Sequence, residues 1–502
     1  MAVPATLGIE TEYGIVHRGA EEPNPISASS LVINAYLAAS GQRVGGERAA
    51  VGWDFVDETP GADARGFTPT GALAPEVETH LVNAVLTNGA RYYVDHAHPE
   101  LSTPECADPL EVVLYDRAAE IIAQRSMEAV RAILPPDEEI VLYKNNSDGK
   151  GNSYGCHENY LVDRATPFGR IITGATAHFV TRQIYTGAGK VGAEAPGVRL
   201  DDVEFQLTQR ADFFEEEVGL ETTLKRPIVN TRDEPHADPR RYRRLHVIVG
   251  DANCSQTATF LKVGTTMLVL ALVQHDEFDT SLRFEDPVGA LRRVSHDMSL
   301  SAPLRLVDGS TVTALELQGD LLERCRDHVE RHGTDHVGGE VAWRVLEEWE
   351  RVLEGLARDP FELADRLDWV AKYRLVDAYR ERHGLGWDDA RLRAIDIQYH
   401  DMRPRRSLAA RAGLRRLVDE AAAERAVTEP PHDTRAFFRG RCLQRFSDAV
   451  VAANWDSIVF DIGADSLRRV PMMEPLRGTE AHVGTLFEEC DSAAELLRRL
   501  ES

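Results

Sequence analysis

"GIETEYG", Gly8 to Gly14, sets two glutamates two residues apart in a stretch that alternates like a half-buried strand. Alternate strand side chains share a face, so Glu10 and Glu12 point one way and Ile9, Thr11 and Tyr13 the other. Three more stretches repeat the pattern. In "RYYVD" (91–95), Arg91, Tyr93 and Asp95 share a face; in "GCHENYL" (155–161), His157 and Asn159; in "RRLHVIV" (243–249), Arg244 and His246. One polar strand face is ordinarily a solvated one. Four of them, set in one sheet, would make a site.

The chemistry of these groups is coherent. Glu10, Glu12 and Glu100 offer hard oxygens suited to Mg²⁺ or Mn²⁺, and His157 and His246 add imidazoles. Arg91 and Arg244 suit phosphate oxygens. The chain has neither a GK[ST] phosphate loop nor a strand–GxGxxG–helix unit, so a nucleotide here would be held by metals and arginine rather than by a helix N-terminus.

The 502 residues, 43% hydrophobic, suffice for a large catalytic domain with an appendage. A net charge of −25 argues against nonspecific nucleic-acid binding. Six scattered cysteines form no CxxC pair. The start "MAVPATLGIETEYG" carries no secretory pattern, and the apolar run "TMLVLALV" (266–273) is too short to span a membrane. A soluble cytoplasmic protein is expected.

Along the chain, "SASSLVINAYLAAS" (27–40) reads as a helix capped by Ser27, Ser29 or Ser30. Residues 41–76, rich in Gly, Pro and charge, read as a lid or a disordered insertion. A helix is expected over 108–134, strands over 139–144 and 243–251, and a helix over 256–274. Residues 285–425 should be mainly helical, and 450–462 should hold the strands of a smaller C-terminal unit. The expected division is 1–430 and 431–502.

"GIETEYG" and "GCHENYL" together resemble the glutamine synthetase-like carboxylate–amine ligase superfamily. "RYYVDHAHPELSTPE" (91–105) and "RRLHVIVGDANCSQTATFLKVGT" (243–265) narrow the resemblance to the Pup ligase/deamidase family, which acts on the prokaryotic ubiquitin-like protein Pup. The resemblance runs over nearly the whole chain and implies an α+β fold, a curved antiparallel sheet flanked by helices. It puts Glu10, Glu12, Tyr93, Glu100, His157 and His246 at metal positions and Asp95 at the catalytic one. Arg91, Ser102, Thr103, Asn159, Arg244 and Trp455 fall at or near nucleotide-contacting positions.

Within that family the insertion 41–76 and the spacing of "VDHAHPE" resemble the hydrolytic members rather than the ligase. The implied activity is ATP-dependent deamidation of Pup's C-terminal Gln and cleavage of Pup from lysines, with ATP and Mg²⁺ (or Mn²⁺) as bound cofactors. Implied partners are Pup, pupylated proteins and the proteasomal ATPase. The alternatives are a Pup ligase, a glutamate–cysteine ligase-type enzyme and a non-catalytic Pup-binding adaptor. Asp95, whose ordinary pKa is about 3.9, can either attack the amide or act as base on water.

Overall fold

The strands marked by alternation lie side by side. The computed structural model describes residues 3–41, 51–56, 58–59, 61–66, 81–199 and 202–501. Its main sheet has ten strands: β1 Leu7–Glu12, β2 Gly52–Trp53, β3 Asn83–Val85, β4 Arg91–Asp95, β5 His98–Ser102, β6 Cys156–Asp163, β7 Tyr242–Val247, β8 Val450–Ala453, β9 Ser457–Phe460 and β10 Arg468–Pro471. Their order is β7-β6-β1-β5-β4-β3-β2-β8-β9-β10. Every pair is antiparallel except β2 with β8, where the C-terminal segment joins the sheet. The expected α+β class holds, with that one parallel joint in the sheet.

Helices back the apolar face: α1 Pro25–Ala39, α2 Pro109–Arg131 and α4 Gln256–Gln274 meet its strands, and α3 Phe168–Thr181, α5 Ala314–His332 and α6 Val341–Arg358 pack on α4. Ile9, Tyr92 and Leu101 from the sheet share one core with Val32, Val113, Ile122 and Leu261 from the helices. α4 is long and apolar enough by composition to cross a membrane, yet 94% of its most apolar window is buried within the fold, which makes it the core helix.

α1 starts earlier than its serines suggest. Asn24 is the N-cap, its side-chain oxygen accepting from the Ser27 amide at 3.0 Å, and Pro25 follows at the first helical position. Proline there loses no helical bond, and Asn accepts the orphan amide as well as Ser does. Much of the insertion 41–76 lies outside the described residues. Part of what is described, Gly52–Trp53, is not loop but a sheet strand.

The C-terminal residues form a second apolar cluster, with Phe437, Phe438, Phe446, Ile458, Phe460 and Phe487 packed around Trp53 and Val85. One ion cluster ties it to the main sheet. Glu105, just beyond β5, accepts from Arg435 Nε at 2.7 Å and from both terminal nitrogens of Arg439. Arg439, on helix α7 (Ala436–Arg445), is fully buried and also donates to the carbonyls of Gly89 and Trp455. Burial pushes the Glu105 carboxyl up, but the charges of Arg439 and Arg435 and their hydrogen bonds outweigh it and hold it down to about 2.

Glu105→Ala should therefore cost about 3–5 kcal/mol at neutral pH, because it strands a buried guanidinium. The folded carboxyl titrates below its unfolded value. Its contribution is complete above the unfolded pKa and drains as pH falls through the folded one. Urea unfolding of both proteins should show a gap that holds from neutral pH down to about 4.5 and narrows as pH falls from there toward about 2. Equal stability at neutral pH would contradict this role.

Candidate active site

The polar sheet face is built by register. Glu10 on β1 stands opposite His157 on β6 and opposite Ser102 on β5. Glu12 stands opposite Glu100, and Glu100 opposite Tyr93 on β4. His246 on β7 stands opposite Asn159 on β6. Five neighbouring strands thus bring all four sequence motifs onto one face. The reverse face of β6 carries Glu158, fully buried and paired with Arg182 at 2.5 Å, so the alternation there separates two polar roles.

Two clusters result. Glu10, His157 and His246 offer ligand atoms within 4.8 Å of one another, and so do Glu12, Asp95 and Glu100. His157 Nδ1 lies 3.4 Å from Glu10 Oε1, and His246 Nδ1 3.5 Å from the same oxygen. Burial pushes Glu10 up, but the His157 hydrogen bond and the charges of His246, His157 and Arg244 bring it well below the usual carboxylate range. Burial and the charge of Arg244 hold His246 well below the usual histidine range, which favours its neutral imidazole, the form that binds metal. Glu100, 2% exposed, goes the other way: burial and the charges of Asp95, Glu10 and Glu12 raise its pKa well above normal. Such crowding of carboxylates with imidazoles fits divalent ions, whose charge would offset the repulsion.

Asp95 ends β4 at a two-residue hairpin turn, His96-Ala97, in which His96 takes φ 52°, as such turns require. Its side chain is 37% exposed, and its Oδ2 lies 3.0 Å from His96 Nδ1. Burial raises its pKa, but the His96 hydrogen bond and the charges of His96 and His157 leave it below normal. His98 is an anchor, as the "His-Pro-Glu" turn suggests: its Nδ1 meets the Tyr13 carbonyl at 3.0 Å and its ring stacks on Tyr154.

Beside the carboxylates opens a cavity lined by Glu10, Ser102, Thr103, Asn159, Arg244 and Trp455, so five of the six expected nucleotide residues share it. Asn159 Oδ1 accepts from Arg244 at 2.7 Å and lies 3.0 Å from His246 Nδ1, which links the cavity to the carboxylate–imidazole cluster. The sixth, Arg91, is not among the lining residues. Its guanidinium lies over the rings of Trp53 and Tyr93 at 3.9 and 3.8 Å, and its Nε donates to Asn83. Sequence reasoning missed His236 and Arg435, which also line the cavity. Arg435 and Arg439, four residues apart in "RAFFRGR", were the one available signal.

Gly155 explains how the strands approach so closely. A Cβ there would stand 2.2 Å from His157 Nε2 and 2.8 Å from Glu12 Oε1, while the Gly155 amide donates to that oxygen at 2.9 Å.

Fold and site together define an α+β protein whose sheet face gathers carboxylates and imidazoles beside a cavity. The chain belongs to the Pup-ligase protein family, whose model matches residues 6–459. It is 53% identical to a depupylase of Acidothermus cellulolyticus and 48% identical to the Pup deamidase/depupylase of Mycobacterium tuberculosis, each over 98% of both chains. It is 40% identical to a Pup–protein ligase of Nakamurella multipartita over 81% of this chain and 90% of that one. Among solved structures, the ligase PafA in complex with Pup superposes with a TM-score of 0.79 at 31% identity, covering 97% of this chain and 92% of PafA. PafA with ADP gives 0.73 at 31% identity, covering 89% and 97%.

Gly155→Ala should displace His157 and Glu12 without disturbing the core. The expected result is at least a tenfold rise in the Mg²⁺ or Mn²⁺ concentration needed for half-maximal activity, with the melting temperature within about 2 °C of wild type. Unchanged metal dependence would mean that this close approach does not shape the ion site.

Proposed function

We propose that this protein hydrolyses the side-chain amide at the C-terminus of Pup, with ATP and Mg²⁺ as bound cofactors. With Gln-ended Pup it releases ammonia and leaves Glu. With pupylated proteins it releases the substrate lysine. Both reactions cut the same kind of Cδ–N bond, so one site serves both. The observation that carries the hydrolase over the ligase is the likeness to depupylases along 98% of both chains, against 81% of this chain for the ligases.

Asp95 is the reacting carboxylate. It is ionised at neutral pH and, with its pKa below normal, a weak base. That combination favours direct attack on the amide carbon. The new C–O bond forms a mixed anhydride, the C–N bond breaks, and the amine leaves with a proton from solvent. Water then opens the anhydride and regenerates Asp95. The exposure of Asp95 at a hairpin tip leaves room for the substrate. Glu10, Glu12, Glu100, His157 and His246, with Tyr93 alongside, would hold the divalent ions, whose charge stabilises oxygen anions formed at the amide. Ser102, Thr103, Asn159, Arg244 and Trp455 line the cavity proposed for the nucleotide, and Arg91 stands outside that lining, over Trp53 and Tyr93. Amide hydrolysis runs downhill in water, so ATP need not be consumed in each turnover.

Gln-ended Pup incubated with the protein, Mg²⁺ and ATP should gain about 1 Da, the change that replacing an amide by an acid requires. Asp95→Asn should abolish the shift, and ADP should not accumulate in step with product. Attachment of Glu-ended Pup to protein lysines with matching ADP release would make the protein a ligase. Pup binding without either reaction would make it an adaptor.

A further inference from the structure

Away from the sheet face, the end of α4 runs into His275 and Glu277, and the last turns of α5 carry His328 and His332, four residues apart on one helix face. Each of these four offers a ligand atom, and all four atoms lie within 4.8 Å of one another. His336, just beyond α5, brings its Nε2 to 2.9 Å from His328 Nε2. The His275 ring lies 4.8 Å from that of His328, 4.7 Å from that of His332 and 5.3 Å from that of His336.

A histidine at a helix C-terminus has an ordinary explanation, the attraction of its cationic form to the helix dipole. That accounts for one imidazole, not for three gathered with one carboxylate.

We infer that His275, Glu277, His328 and His332 form a second metal site, for a borderline divalent ion of the Zn²⁺ type, that ties the end of α4 to the end of α5. Three imidazoles and one carboxylate suit Zn²⁺ far better than Mg²⁺, unlike the oxygen-rich cluster on the sheet. His328 is fully buried, with Nδ1 at 2.7 Å from Glu277 and Nε2 facing His336. With Nδ1 toward an ion shared with Glu277, Nε2 keeps His336 as the partner that fixes the ring, the support that metal-binding histidines commonly have. His332 Nε2 lies 2.8 Å from Glu277 Oε1. Ligand atoms around tetrahedral Zn²⁺ stand about 3.3 Å apart, so the cluster closes by side-chain adjustment alone. Arg331, 56% exposed, now donates to both Glu277 oxygens at 3.0 Å and can yield one of them at little cost.

The test uses the untagged full chain, stripped of metal, held in excess Mg²⁺ and titrated with Co²⁺. Wild type should take up one equivalent more than His275→Asn/His332→Asn and show a visible absorption band that the double variant lacks. Zn²⁺ should bleach the band and raise the melting temperature of wild type only. If the double variant does not fold, Glu277→Gln is read the same way. Equal Co²⁺ uptake with identical spectra would overturn the inference. None of these readouts depends on activity toward Pup.

Discussion

The structure turns on the convergence of four carboxylates, Glu10, Glu12, Asp95 and Glu100, on one face of a sheet. Two unit charges 4 Å apart repel by about 4 kcal/mol where the effective dielectric is near 20. Such a face needs compensation, and the neighbouring strands supply part of it. β6 and β7 contribute His157, His246 and Arg244, which draw Glu10 down. Glu100 has no comparable neighbour, and its pKa rises. Divalent ions would complete the balance, which is why the cluster makes physical sense as an ion site and little sense as a fold-stabilising element.

The same face treats its carboxylates unequally. Glu100 is sealed beneath its neighbours, whereas Asp95 stands at the rim on a tight turn, with His96 beside it. Environments that push similar groups apart are how one site assigns separate roles. The buried carboxylates suit a fixed charge framework, and the accessible one suits contact with a peptide terminus. The joint between the sheet and the C-terminal unit bears on this directly. Glu105 follows the β4–β5 hairpin by three residues; of its arginine partners, Arg439 sits on α7 and Arg435, just before that helix, lines the cavity, so the joint that holds the C-terminal unit also braces the site.

Much of this was legible in the sequence because strand periodicity assigns faces before any fold is known. Glu10, Glu12, Tyr93, Asp95, His157 and His246 could be placed on faces by counting alone, and only the adjacency of their strands awaited the structure. The helix 256–274 was legible because its apolar run is unbroken. What escaped were features set by tertiary context. Two residues, Gly52–Trp53, are too short for any period, and they become a strand only because β3 and β8 flank them. Asn24 and the serines are equally good caps in isolation, and Pro25 decides between them. Arg435 and Arg439 read as solvated helix charges until Glu105, more than three hundred residues earlier, is seen beneath them.

The central claim is that the carboxylate–imidazole face seats ions beside a nucleotide cavity, with Asp95 at its edge. Anomalous diffraction from crystals grown with Mn²⁺ and an ATP analogue tests it most directly. Mn²⁺ peaks are expected among Glu10, His157 and His246 and among Glu12 and Glu100, with the nucleotide in the cavity lined by Arg244 and Trp455. A nucleotide bound elsewhere, or a sheet face without Mn²⁺ when the nucleotide is bound, would contradict it.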